Sequence, residues 1–393
     1  MSTPINFREV KAAWLRKNRI PRIVDGKSDK RAELLFHRCK RWLKTQRIEG
    51  WNYSQGELYS KPLLIGCPLG SWRVNRAQGP NVYAGADDKQ HFSYILITQG
   101  LLSTVEWLSL SVWNSDTFLT GYGRLLKRVS TVQPTAIPKG LELLWLSANC
   151  ELHEFDCPDV VPSWLNECEG ARDSKRHQLY ESCVVSAFDF LLLHEFGHLK
   201  YQHKSTLKKS GFDRLSQFNH SELEDGVARD GYDLRRAFEV EADRFAIRLI
   251  LRELLPDALV NETNRERLVA AIVGVILVQV VFQAKRLVKG ASRKQSDSLH
   301  PPLWFRTDSV LRILRKCSYD SWTTSGLKTS QWQSQQIKLE IAVFDSLLDL
   351  GNTHPLIGKW LGPTIENSRN EAGSTEFLAA RERIQSITGQ PEQ

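Results

Sequence analysis

An α+β fold dominated by helix is predicted for this 393-residue chain. Three observations carry that reading. Apolar residues recur at helical spacing over about 179–204 and 234–255, and again over 262–289 and 303–317. The stretch HFSYILITQGLL, His91–Leu102, reads instead as a strand that ends at Gly100. Hydrophobic residues make up 41% of the chain and charged residues 25%, which supplies a core and excludes wholesale disorder.

Taken in chain order, residues 1 to about 65 read as helical, basic and Trp-containing. Residues 1–50 hold 14 Lys and Arg against 5 Asp and Glu, so the net charge of +8 is concentrated there. Such a segment can meet nucleic acid, an acidic partner or anionic lipid, or serve as a solvated helical surface. Trp14, Phe36 and Trp42 fall at helical spacing among the charges, which favours core over base stacking. CPLGSWRVNRAQGPN, Cys67–Asn81, is rich in Gly and Pro and marks a boundary. LELLWLSANCEL, near 141–152, reads as either a strand or a buried helix. Residues 365–393 are polar and read as a short helix with a frayed tail. The predicted organisation is a basic helical segment over 1–70, a central domain over 71–318 and a helical extension with a polar tail over 319–393.

The run LVAAIVGVILVQVVF, Leu268–Phe282, has 15 residues, includes Gln279 and is flanked by charges. A span needs about 20 apolar residues, so a buried core helix is expected and no membrane span. Seven cysteines, an odd number with no CxxC, and a beginning without an apolar signal region point to a cytoplasmic location. Cys150, His153, Cys157 and Cys168 match no zinc-finger spacing.

The chemistry concentrates in FDFLLLHEFGHLKYQH, Phe188–His203. Residues four apart on a helix share a face, so His194 and His198 can aim at one ion while Glu195 stands beside it. Two neutral imidazoles and a carboxylate base are what a zinc hydrolase requires. Gly197 costs helix propensity but admits close approach of another backbone. An HE pair also occurs at His153–Glu154, but its fifth position is Cys157.

A third ligand is expected from RRAFEVEADRFAIRLIL, Arg235–Leu251. Glu239 and Asp243 lie four apart on one face, whereas Glu241 is about 200° from Glu239. Glu239 as ligand lets Asp243 reach back to a ligand histidine. Glu241 as ligand would put Phe245 in that place.

HEFGH followed by EVEADRFA resembles the gluzincin metallopeptidases of the HtpX and CAAX-prenyl-protease type, with their HExxH and ExxxD helices. LHPPLWFR, Leu299–Arg306, is similar to their HPPxxxR element, and NVYAGADDKQHFSYILITQGLL, Asn81–Leu102, to an upstream Asn-containing segment. The resemblance implies a zincin-like metallopeptidase core, with an active-site HExxH helix, a small mixed sheet and helical extensions at both ends. It implies Zn2+ as cofactor. It also implies that His300 and Arg306 lie near the site, holding the substrate or the developing oxyanion, where a donor beyond the metal is required. Tyr232 is a further oxyanion candidate. The strand at 92–98 would be the edge to which an extended peptide adds, and the polar stretch after His198 a lip over the cleft.

HtpX-type enzymes span membranes, and this chain departs from them there. Two other families share the HExxH plan: the ImmA/IrrE type, which cuts a repressor, and the Lit-type phage-exclusion peptidase, which cuts a translation factor. Either would imply a regulatory or phage-defence peptidase of narrow specificity. The expected function is a zinc endopeptidase acting on a protein or peptide substrate. The alternative is a nucleic-acid- or partner-binding regulator acting through residues 1–50, with a structural or inert metal site.

Overall fold

The computed structural model describes residues 23–24, 30–45, 51–52, 57–58, 61–68, 84–88, 93–113, 118, 175–209, 229–288, 301, 303–325, 328–353, 357–358 and 361. Eight helices and six strands are described. The strands are β1 (Ile23–Val24), β2 (Trp51–Asn52), β3 (Glu57–Leu58), β4 (Lys61–Pro68), β5 (Ala84–Asp88) and β6 (Ser93–Ile97). The helices are α1 (Lys30–Thr45), α2 (Gln99–Trp113), α3 (Lys175–Lys200), α4 (His203–Lys209), α5 (Arg229–Val260), α6 (Glu262–Val288), α7 (Leu303–Ser325) and α8 (Thr329–Thr353).

The strands form one sheet in the order β2-β3-β4-β6-β5, with β1 also pairing to β4. It is mixed: β4 and β6 are parallel, and the other pairs antiparallel. Two expectations are corrected here. Residues up to about 65 are not all helical, because 51–68 carry three strands. Strands this short are fixed by distant partners rather than by local periodicity. Nor is β6 an edge: it is flanked by β4 and β5, and its neighbour β5 is the edge at that end of the described sheet, with Ala84 opposite Ile97 and Asp88 opposite Ser93. The strand also stops sooner than Gly100. Thr98 follows it and caps α2, its Oγ1 accepting from Leu101 N at 3.3 Å. Gly100 therefore lies in the first turn of a helix.

Helix α3 is the centre of the molecule. Its residues from Leu179 to Phe196 are almost all buried, so it shows no polar stripe, the mark of a helix enclosed on every side. It packs on α6, α5, α2, α1 and on β5 and β6. Helix α6 crosses it closely at Gly274, where a Cβ would overlap the Cys183 carbonyl. Only glycine permits that approach. Asn261 separates α5 from α6 and caps the latter, its Oδ1 accepting from Thr263 N at 2.8 Å.

Over Glu262–Gln283, α6 has the length and hydropathy of a membrane-crossing helix. In this structure 78% of that stretch is buried against the rest of the protein, and Leu268–Val281 form part of the core.

The basic N-terminal stretch is tied to this core through α1. Leu35, Cys39 and Trp42 are buried, and Phe36 packs beside them. Arg38 donates to Asp189 of α3 at 2.7 Å, and Arg41 pairs with Glu253 of α5. One of its cations, Arg38, is thus spent on a buried carboxylate, and Arg41 on an ion pair at the surface. The sheet runs across residue 70 through the β4–β6 pair, and α7 runs across residue 318. Trp14, the His153–Glu154 pair, the stretch at 141–152, the tail at 365–393 and most of the polar stretch after α4 lie outside the described residues.

Candidate metal centre

Helices α3 and α5 meet at Gly197 and Ala242. A Cβ on Gly197 would sit 3.0 Å from the Ala242 Cα, so the glycine inside HEFGH lets the two backbones approach there. His194, Glu195 and His198 come from α3, and Glu239 and Asp243 from α5.

One ligand atom from each of His194, His198 and Glu239 lies within 4.8 Å of the others. The two Nε2 atoms are 3.1 Å apart. Glu239 carboxylate oxygens stand 3.4 Å from His194 Nε2 and 3.8 Å from His198 Nε2. Bonds of about 2.0–2.1 Å in a tetrahedron place ligand atoms about 3.3–3.4 Å apart, so the three groups could hold one ion. The set is two nitrogens and one carboxylate. His194 and Glu239 are buried and His198 is half-buried.

Behind His194 lies a charged support. Its Nδ1 is 2.9 Å from Asp243 Oδ1. With Nε2 turned to the cluster, the proton resides on Nδ1 and is donated to the carboxylate. Arg306, from α7, donates Nε to Asp243 Oδ2 at 2.6 Å and an amino group to Oδ1. Its guanidinium also lies over the Phe282 ring at 5.6 Å. The resemblance implies a role for Arg306 at the substrate or the oxyanion. The geometry engages it differently: it is 3% exposed, and two of its donors are fixed on Asp243.

His198 has a different support. Its Nδ1 is 2.8 Å from Nδ1 of His203, whose Nε2 is 2.9 Å from Glu241 Oε2. Glu241 therefore faces away from the cluster, as the helical phase required, but it is not idle. His203 went unassigned from sequence. Five residues after His198, a continuous helix would put it about 140° round. Gln202 breaks the helix with φ 52°, a left-handed conformation, and turns His203 back against His198. A third histidine close after HEFGH was the available signal.

Protonation differs between these groups. Burial opposes charge on His194, but the hydrogen bonds and charges of Asp243 and Glu239 outweigh it and lift its pKa to about 10. Burial pushes His198 well below the usual histidine range. Glu195 is raised to about 8, chiefly by burial and further by Glu239, while His194 opposes the rise. Burial works against ionisation of Asp243 as well, yet Arg306 and His194 hold it below the ordinary carboxylate range.

Tyr232 lies on α5, but its side chain is outside the described ones, and His300 is outside the described residues altogether.

The Peptidase U49 family model matches residues 152–318, a stretch that holds HEFGH, Glu239, Asp243 and Arg306. The match supports a peptidase family, and so a hydrolase acting on proteins or peptides. No curated protein and no solved structure matches the chain.

Proposed function

We propose that the chain is a zinc-dependent endopeptidase with a gluzincin-type site in a zincin-like core. The observation that carries this reading is the convergence of His194, His198 and Glu239 from two helices, with Glu195 beside them. His194, His198 and Glu239 would hold the ion. Bound there, zinc supplies Lewis-acid activation of water and of the scissile carbonyl.

Glu195 is the general base. In its ionised form it takes a proton from water and passes it to the leaving amine. Asp243 orients His194, and Arg306 keeps Asp243 ionised and in place. An extended peptide substrate would add along the edge strand β5, which packs on α3. His300 and Tyr232 stand as candidates for contacts with the tetrahedral intermediate. A single intracellular protein target, cytoplasmic location and a regulatory or phage-defence role complete the proposal. The rival use of residues 1–50 for nucleic acid gains no support from α1, whose apolar face is in the core.

The test compares proteins cleaved in cells expressing the parent chain with those expressing Glu195→Gln. Fragments made only by the parent are expected, with hydrolysis of a purified target reduced about 10²–10⁴-fold in the variant. Full hydrolysis by Glu195→Gln would remove Glu195 from the mechanism.

A further inference from the structure

We propose that His203 is a positioning residue for His198, holding its ring and tautomer through the juxtaposition His198 Nδ1–His203 Nδ1 and His203 Nε2–Glu241 Oε2. The inference rests on the metal-site reading above and assigns residues that neither the HExxH pattern nor the ExxxD pattern contains.

The proton accounting is unusually constrained. Two Nδ1 atoms 2.8 Å apart share one proton, because two N–H groups would collide and two lone pairs would repel. With Nε2 of His198 turned to the cluster, that ring carries its proton on Nδ1 and donates. His203 must then accept at Nδ1, which leaves its own proton on Nε2. That proton points at Glu241 Oε2, 2.9 Å away, which accepts. One assignment satisfies both rings and the carboxylate. Reversing any bond would turn His198 Nδ1 into a lone pair and take Nε2 out of use as a ligand.

His203 is itself held firmly. It is 3% exposed. Its ring stacks on Phe238 at 4.3 Å between centroids, with 7° between planes, and on Tyr201 at 5.7 Å. Phe238 immediately precedes Glu239, so the surface that fixes His203 belongs to the helix that delivers the third ligand. The left-handed Gln202 sets the approach of the backbone. A histidine serving only to fill space would not need both ring nitrogens spent along one line.

The test titrates full-length, metal-free protein with Zn2+ against a competing chromophoric chelator. His203→Phe keeps an aromatic ring and removes the acceptor. Its zinc affinity is expected to fall about 10–100-fold. His203→Asn, whose amide oxygen can take the place of Nδ1, is expected to recover most of that loss. Glu241→Ala, at the more exposed end of the line, is expected to lose several-fold while keeping a cooperative melting transition in the metal-free protein. Parental affinity in His203→Phe, or no recovery in His203→Asn, overturns the proposal. If His203→Phe fails to fold, Glu241→Ala decides: parental zinc affinity there overturns it equally. His194→Ala separates the two levels of inference. Zinc lost in His194→Ala but retained in His203→Phe sinks the positioning role alone. Zinc retained in His194→Ala removes the metal site and this role with it.

Discussion

The two histidines of HEFGH are held by opposite devices. His194 leans on a buried carboxylate that is itself clamped by a buried guanidinium, so its support is ionic and closed to solvent. His198 leans on the His203 ring, whose far nitrogen meets Glu241, a side chain 24% exposed, so its support runs through a second imidazole and opens towards the surface. An ionic support sealed in low dielectric is rigid but intolerant of losing one partner. A relay through imidazole nitrogens depends on the direction of each hydrogen bond. Two histidines four residues apart therefore have different vulnerabilities, and the difference resides in the residues behind them.

The largest consequence concerns stability. Arg306→Met leaves Asp243 buried beside a histidine alone and is expected to cost about 3–5 kcal/mol. Glu241→Gln removes a charge where solvent reaches and is expected to cost under about 1 kcal/mol. Chemical denaturation of both metal-free variants makes the comparison. Equal costs would erase the distinction between the two supports.

A smaller effect separates the two by proton release. His194 carries its proton up to about pH 10 in the metal-free protein, whereas His198 is already neutral. Zinc must displace a proton from the first and none from the second. The sign follows: below that pKa, affinity rises with pH, at least about tenfold per unit between about pH 6 and 8. For folding the same raised pKa has the opposite sense. It stabilises the metal-free protein fully below about 6.5, and that contribution is lost as pH rises through about 10. Zinc affinity independent of pH over that range would contradict the protonated state of His194.

What the sequence disclosed divides along the same line. The support of His194 was legible because Glu239 and Asp243 keep helical phase within one uninterrupted helix, and phase alone set Glu241 apart. The support of His198 was not, because it depends on a helix break at Gln202. No glycine or asparagine marks that break, and propensity gives no warning of a left-handed glutamine. Arg306 could be located through its HPPxxxR setting, but its partner could not, since the pairing joins α5 to α7 across 63 residues. The long helices were legible from 3.6-residue periodicity. The strands at 51–68 were not, because β4 is defined by its pairing with β6 rather than by its own pattern.

The central claim is that His194, His198 and Glu239 hold one zinc ion in which Glu195 has no part as ligand. Metal analysis of the purified parent, Glu195→Gln and His194→Ala chains tests it most directly. The expected result is about one zinc per chain in the first two and a large loss in the third. Equal zinc content in all three would contradict it.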